Sequence, residues 1–348
     1  MLRILAALAC ASLLHAADTE DRVRKSVPAS SATRLTLNAE FGAIRVQPGN
    51  EKTVEVEVRF RGDPPSRAEF DRMLRDFRLD LTQEGTDIRV SGTFRNGWEP
   101  QSLSGLFGSL IGGGHPICRN GQCLVYSAWL REVEYRITVP QKFSADVSTS
   151  GGPISASNLK GDVSAHTSGG SLKFDGIEGA VNGRTSGGSI TLAGGGKSQA
   201  VLHTSGGSIR ITGVGGDVDA SSSGGPISIE RASGRVRART SGGGIEIREA
   251  TGAIDASTSG GSVTASLAGQ PKEECRLNTS GGNIDVSLDK GIHMDLDASA
   301  SGGRVWTDFA VPSRDDRHQR ELRAPLNGGG PLLYLHTSGG EISVRRAG

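Results

Sequence analysis

Ser-Gly-Gly occurs ten times in near-constant register, beginning at Ser150, Ser168, Ser186, Ser205, Ser223, Ser241, Ser259, Ser280, Ser301 and Ser338. The steps are 18, 18, 19, 18, 18, 18, 21, 21 and 37 residues. A period of this size marks one supersecondary unit that hides its apolar side only by stacking on its neighbours. Counting from each Ser, position 5 is Ile, Leu or Val in every copy, and position 7 is mostly Ala, Val, Leu or Ile. Residues between them are polar, the period-two pattern of a half-buried strand. Gly161, Gly179, Gly216, Gly234 and Gly252 stand at position 12, where a second turn is expected. Val or Ile follows at position 14 and small residues at position 16 (Val163 and Ala165, Val236 and Ala238). Thr precedes the corner in eight of the ten copies. Parity turns it inward, where its hydroxyl can satisfy backbone groups of the turn.

Each repeat therefore holds two short strands and two glycine corners. The fold class that follows is all-β: a single-chain β-solenoid of about ten 18-residue, two-strand coils, paired in parallel from coil to coil. The glycine content supports it, with 51 Gly in 348 residues against the usual share of about 7%. Calcium-binding nonapeptide solenoids need a repeated Gly-Gly-x-Gly-x-Asp, which Gly213-Val214-Gly215-Gly216-Asp217 matches only faintly. Position 15 reads Asp219, Arg237, Asp255, Arg276 and Asp297, alternating in sign up the stack. Cys275 falls at inward position 14 and is expected as a buried free thiol.

The N-terminal third follows the pattern irregularly. Leu35, Leu37, Ala39, Gly42, Ile44 and Val46 fit one coil. Ser66-Arg67-Ala68-Glu69 is a capping box, and Phe70, Met73, Leu74 and Phe77 follow at helical spacing. One short helix from about Ser66 to Arg78 is predicted. The expected organisation is a signal peptide at 1–16, an irregular solenoid or cap region at 32–140 with an insertion at 94–129, and a regular solenoid at 141–346 with an insertion at 308–331. Arg345 and Arg346 are expected to charge the last edge strand.

Met1–Ala16 has the parts of a secretory signal: Arg3, an apolar run from Ile4 to Leu14, and small residues at Ala16 and Ala17. A lipoprotein signal ending at Cys10 is the rival, with a short apolar run before it. No stretch predicts a transmembrane span. The expected location is outside the cytoplasm: periplasm, outer surface or medium. There, Cys118 and Cys123 around Arg-Asn-Gly-Gln suit a hairpin closed by a disulfide. A metal pair would need further ligands, and only His115 is close.

The 94–129 insertion carries Trp98, Leu103, Leu106, Phe107, Leu110 and Ile111. They read either as packing or as a contact for a partner or membrane surface. Net charge is +1, which gives no field for nucleic acid. Gly-x-Ser-x-Gly, His-Glu-x-x-His and a P-loop are missing, and no cofactor or metal is expected. His166 and His203 lie two coils apart with Arg184 between them, which argues against a metal site.

The Thr-Ser-Gly-Gly-x-Ile coils resemble the bacterial putative-adhesin family of β-strand repeats, a domain of unknown function. Phe41-Gly42-Ala43-Ile44, Tyr135-Arg136-Ile137-Thr138-Val139-Pro140 and Leu326-Asn327-Gly328-Gly329-Gly330-Pro331 match its pattern as well. The resemblance spans about residues 32–346 and implies a solenoid without an assigned active site. The function expected is an exported, non-catalytic, adhesin-like surface or scaffold interaction module of the cell envelope, its partner a cell-envelope protein or glycan. One alternative is an envelope glycan-binding module, for which Trp306 at outward position 6 is the one aromatic on that face of the regular coils. The other is a divergent polysaccharide-active enzyme.

Overall fold

The computed structural model describes residues 19–29, 31–95, 98–100, 118–119, 122–311 and 319–347, with backbone alone for 98–100, 118, 119, 122, 123, 125 and 127. The expected signal peptide and Leu103, Leu106, Phe107, Leu110 and Ile111 lie outside the described residues. The chain divides into two compact units, one of residues 1–22, 59–77 and 94–133, the other of 23–58, 78–93 and 134–348.

The larger unit is an all-β solenoid built on two 14-stranded sheets. First strands of the repeats make one sheet, the isoleucine sheet. There Ile209 pairs with Ile227, Ile227 with Ile245 and Ile245 with Val263, all in parallel. Second strands make the other, the threonine sheet, where Val218 pairs with Val236 and Thr240 with Thr258. Alternation puts the apolar residues inward: Ile209, Ile227, Val236 and Ile254 are each buried. Phe174 stands where its neighbours have a smaller residue, and Gly183 leaves room for it: a Cβ there would lie 2.8 Å from the Phe174 ring. Arg34–Ala39 and Ala43–Pro48 form the expected early coil, with Leu35 opposite Ala145 and Ile44 opposite Ile154.

Three corners turn the coils as far as Glu249, two of them set by close approach and one by backbone conformation. In Ser-Gly-Gly, the second glycine lies against the corner before it. A Cβ on Gly207 would stand 2.1 Å from the Gly188 carbonyl oxygen, whereas one on Gly206 would stand 3.5 Å from its nearest neighbour. At position 12 the reason is again close approach, since a Cβ on Gly234 would be 2.4 Å from the Gly216 oxygen. Position 9 is a corner that the repeat count did not reveal. It takes a left-handed backbone at Asn158, Gly176, Gly194, Gly213, Arg231 and Glu249, with φ between 52° and 72°.

The order of coils departs from the chain at its C-terminal end. After Ile284–Leu288, the isoleucine sheet continues with Ile342–Arg346 and ends on Val305–Thr307. After Cys275–Thr279, the threonine sheet continues with Leu332–Thr337, then Met294–Ala300, and ends on Glu321–Leu326. The last coil of the sequence is thus seated between two earlier ones. Two expectations are corrected. Arg345 and Arg346 lie on an interior strand and guard no edge. The charge row does not run from Arg276 to Asp297, because Tyr334 pairs with both. The outermost strand of the threonine sheet is antiparallel and carries Pro325, which supplies no N–H for further pairing.

The smaller unit contains the helix Arg67–Asp76, capped by the Ser66 hydroxyl accepting from the Glu69 N–H at 3.3 Å. It ends earlier than expected because Phe77 turns extended and brings its ring 4.8 Å from Phe60. A three-stranded sheet orders Trp98–Pro100, Gln122–Leu124 and Cys118–Arg119.

Candidate interaction surface

The repeated Thr is the first residue to test as a functional group, because a column of hydroxyls is the sequence's most regular polar feature. Thr149 donates only to the Gly42 carbonyl, and from Thr167 onward each hydroxyl is engaged twice. Thr258 Oγ1 donates to the Gly243 carbonyl of the coil before at 2.8 Å and accepts from the Gly261 N–H of its own corner at 3.4 Å. Thr185 and Thr204 repeat the pattern, and Ser222 does so with a serine hydroxyl. These side chains are 0–7% exposed. The motif is a clamp between coils, and parity had already pointed its hydroxyl at the turn.

What faces solvent is the set of residues that change from coil to coil. On the threonine sheet His166 pairs with Arg184 and Arg184 with His203, so a cation separates the two imidazoles. Asp219, Arg237 and Asp255 are adjacent, and Arg237 reaches both carboxylates at 3.8 and 3.4 Å. Beyond them the extra residues of one coil bring in Glu273 and Glu274. Glu273 pairs with Arg235, Glu274 holds Arg276 at 3.0 Å, and with Asp255 and Arg237 they rim a groove of about 280 Å³. Cys275 is a free, buried thiol, as position 14 implied, and burial pushes its pKa up to about 11. Among the described residues no three His, Cys, Asp or Glu are grouped to hold a metal.

On the isoleucine sheet the terminal strand presents Trp306, 42% exposed and the one exposed large apolar side chain among the described residues. The Arg345 guanidinium lies 4.7 Å from its ring centroid, and Asp285 is 3.9 Å from Arg345. Arg346 lies 4.9 Å from the Phe309 ring. Position 6 gave Trp306 from sequence. Its arginine partner does not follow from the repeat, because coil order decides which strand lies beside Trp306.

In the smaller unit, Trp129 is 5.8 Å from Phe70 and 5.6 Å from Tyr126. Tyr126 donates its hydroxyl to Asp76 at 2.5 Å. Burial first, then that hydrogen bond and the Asp76 charge, pushes its pKa up to about 12. Trp98 lies in a strand paired with Gln122–Leu124, and Cys118 stands directly opposite Cys123 in an antiparallel pair.

The profile of the Toastrack DUF4097 family matches residues 32–345. The chain belongs to that family. The Toastrack name fits the stacked coils, and the repeated Thr-Ser-Gly-Gly of this chain holds one rung to the next. Solved structures similar to it include a "putative adhesin" from Bacteroides fragilis, 10% identical, with a TM-score of 0.37 over 94% of this chain and 97% of that one. A "putative lipid binding protein" from Parabacteroides distasonis is 10% identical, with a TM-score of 0.38 over the same shares. A "putative cell adhesion protein" from Clostridium sporogenes is 11% identical, with a TM-score of 0.23 over 94% of this chain and 100% of that one. No curated protein matches the chain. Among the described residues of this Toastrack chain, no helix is long and apolar enough to cross a membrane.

Proposed function

We propose that this protein is an exported, non-catalytic, adhesin-like scaffold of the cell envelope, with its variable outward side chains forming the contact surface and an envelope protein as partner. One observation carries the reading. The residues that repeat are engaged in joining coil to coil, so chemistry that differs along the molecule is left to the outward rows. The 103–111 segment, with Trp98 before it, is proposed as an additional contact, and Cys118–Cys123 as a disulfide that pins the hairpin beside it. Cleavage after Ala16 or Ala17 would release the mature chain outside the cytoplasm.

Expression in a bacterial host with a C-terminal tag tests the central point. The mature N-terminus should begin at Ala17 or Asp18, and the protein should fractionate with the periplasm, outer surface or medium. An unprocessed cytoplasmic chain contradicts the proposal. Deleting residues 103–111 should leave the melt unchanged and lower envelope association. Unchanged association removes that segment from the contact.

A second reading rests on Trp306. An exposed indole beside Arg345 and Asp285 combines a stacking surface with polar groups for sugar hydroxyls. A glycan array with the intact protein and with Trp306→Ala separates the readings. Binding lost in the variant supports glycan recognition, and no binding by either supports the protein scaffold.

A further inference from the structure

The C-terminal coil, Leu332–Thr337 and Ile342–Arg346, is paired on both sides in both sheets. Its neighbours are Cys275–Thr279 and Ile284–Leu288 on one side, Met294–Ala300 and Val305–Thr307 on the other. The register across it is continuous. Arg276, Tyr334 and Asp297 share a row, as do Leu277, Leu335 and Ala298, and Ile284, Ile342 and Val305. If this coil is taken out, the two flanking coils already face each other in register. Arg276 then meets Asp297, and the sign alternation of Asp219, Arg237 and Asp255 continues unbroken. The corners fit as well. A Cβ on Gly303 would lie 2.2 Å from the Gly340 oxygen, and one on Gly340 would lie 2.1 Å from the Gly282 oxygen, so each seat has the same shape.

The attachments of the two flanks differ. Thr337 clamps the inserted coil to Gly282 at 2.8 Å, but the outermost coil has Ala300 where the clamp residue would stand. The outer coil therefore lacks that clamp and is tied to the insert instead by Thr307 Oγ1 donating to the Val344 carbonyl at 2.8 Å and by the Arg346 N–H donating to Asp308 at 3.0 Å. The chain reaches its inserted place by a built crossover. Asn327, Gly328 and Gly329 all have positive φ, and Asn327 Nδ2 donates to the Ile292 carbonyl at 2.8 Å. This carries the chain from Glu321–Leu326, outside Met294–Ala300, to Leu332–Thr337 on its inner side.

We infer that residues 332–346 are a withdrawable insert, and that the protein has a second packing in which coil 294–307 closes directly on coil 275–288. The two packings use one register and one corner geometry, which is what a bistable element requires. Withdrawal releases a two-strand element carrying Leu333, Leu335, Ile342 and Val344, all buried in the inserted packing.

Hydrogen exchange on the intact protein tests this. Amides of 332–337 and 342–346 should exchange roughly tenfold or more faster than those of 294–300, although 294–300 lies nearer the end of the stack. Ordinary fraying gives the reverse order, with 321–326 and 294–300 first, and that result overturns the inference. Cysteine pairs in the full-length chain give a second measurement. Arg276→Cys with Asp297→Cys would be about 9.6 Å apart in the inserted packing, beyond the roughly 4.4–6.8 Å that a disulfide spans. Mass mapping should find that link accumulating slowly under oxidation, and roughly tenfold faster when Leu335→Asp spoils the insert's fit. Absence of the link in both backgrounds, while Arg276→Cys with Tyr334→Cys closes fully, also overturns it.

Discussion

Residues 60–129 place six aromatic rings in one connected row, Phe70, Trp129, Tyr126, Phe94, Phe77 and Phe60, with successive centroids 4.8–5.9 Å apart. Residues 150–300 of the solenoid contain one aromatic, Phe174. The smaller unit is filled by large side chains, and the coils are held by the absence of side chains at their corners. The two regions should therefore fail in opposite ways, one when atoms are removed and the other when they are added.

The largest effect is expected in the aromatic row. Phe94→Ala should cost ~3–5 kcal/mol in urea unfolding, as large-to-small changes at buried rings do, and Phe94→Leu clearly less. Equal, small losses would mean that the row does not hold the unit. In the coils the damaging change is one added methyl. Gly207→Ala should cost about 3 kcal/mol, the upper end for overpacking, because its Cβ meets backbone at 2.1 Å. Gly206→Ala, with 3.5 Å to its nearest atom, should change stability little. If the two alanines are equivalent, close approach is not the reason for the second glycine.

Removing a hydroxyl while keeping shape comes next. Thr258→Val should cost ~1–3 kcal/mol, since it leaves a buried carbonyl and N–H without their partner. Thr258→Ser should cost less, because Ser222 makes the same pair of bonds. At position 9 the sign reverses. Arg231→Gly should stabilise by about 0.5–1 kcal/mol by relieving a left-handed backbone, at φ 56°. The smallest effect belongs to the charge row. Arg237→Asp puts three acids in succession and should lower the melt at low salt, with recovery at high salt. Arg237→Ser should do less, since exposed pairs are worth ~0.2–1 kcal/mol. Identical melts would leave the row without energetic consequence.

The contrast also separates what sequence reading reached from what it did not. Strand parity, the inward Thr, the capped helix and buried Cys275 are local consequences of spacing, and the period made them legible. Coil order was not legible. The C-terminal coil carries the same Thr-Ser-Gly-Gly-x-Ile pattern as other copies, so the motif alone does not name its neighbour. The position-9 corner was hidden by chemistry: Asn158, Gly176, Gly194 and Gly213 signal it, but Arg231 and Glu249 do not. Arg345 followed from coil order, so its place beside Trp306 was lost with it. The aromatic row is assembled from residues 60, 70, 77, 94, 126 and 129, whose separations obey no period.

The account stands on the hydroxyl clamp, and amide exchange at the second corner glycines tests it most directly. Gly170, Gly188, Gly207, Gly225, Gly243, Gly261, Gly282 and Gly340 each donate their N–H to that hydroxyl. These amides should be as protected as the Ile amides of the adjoining strands, and Thr258→Val should release Gly261 selectively. Corner amides that exchange as fast as exposed turns in the unmodified protein would contradict the claim that the repeated Thr joins the coils.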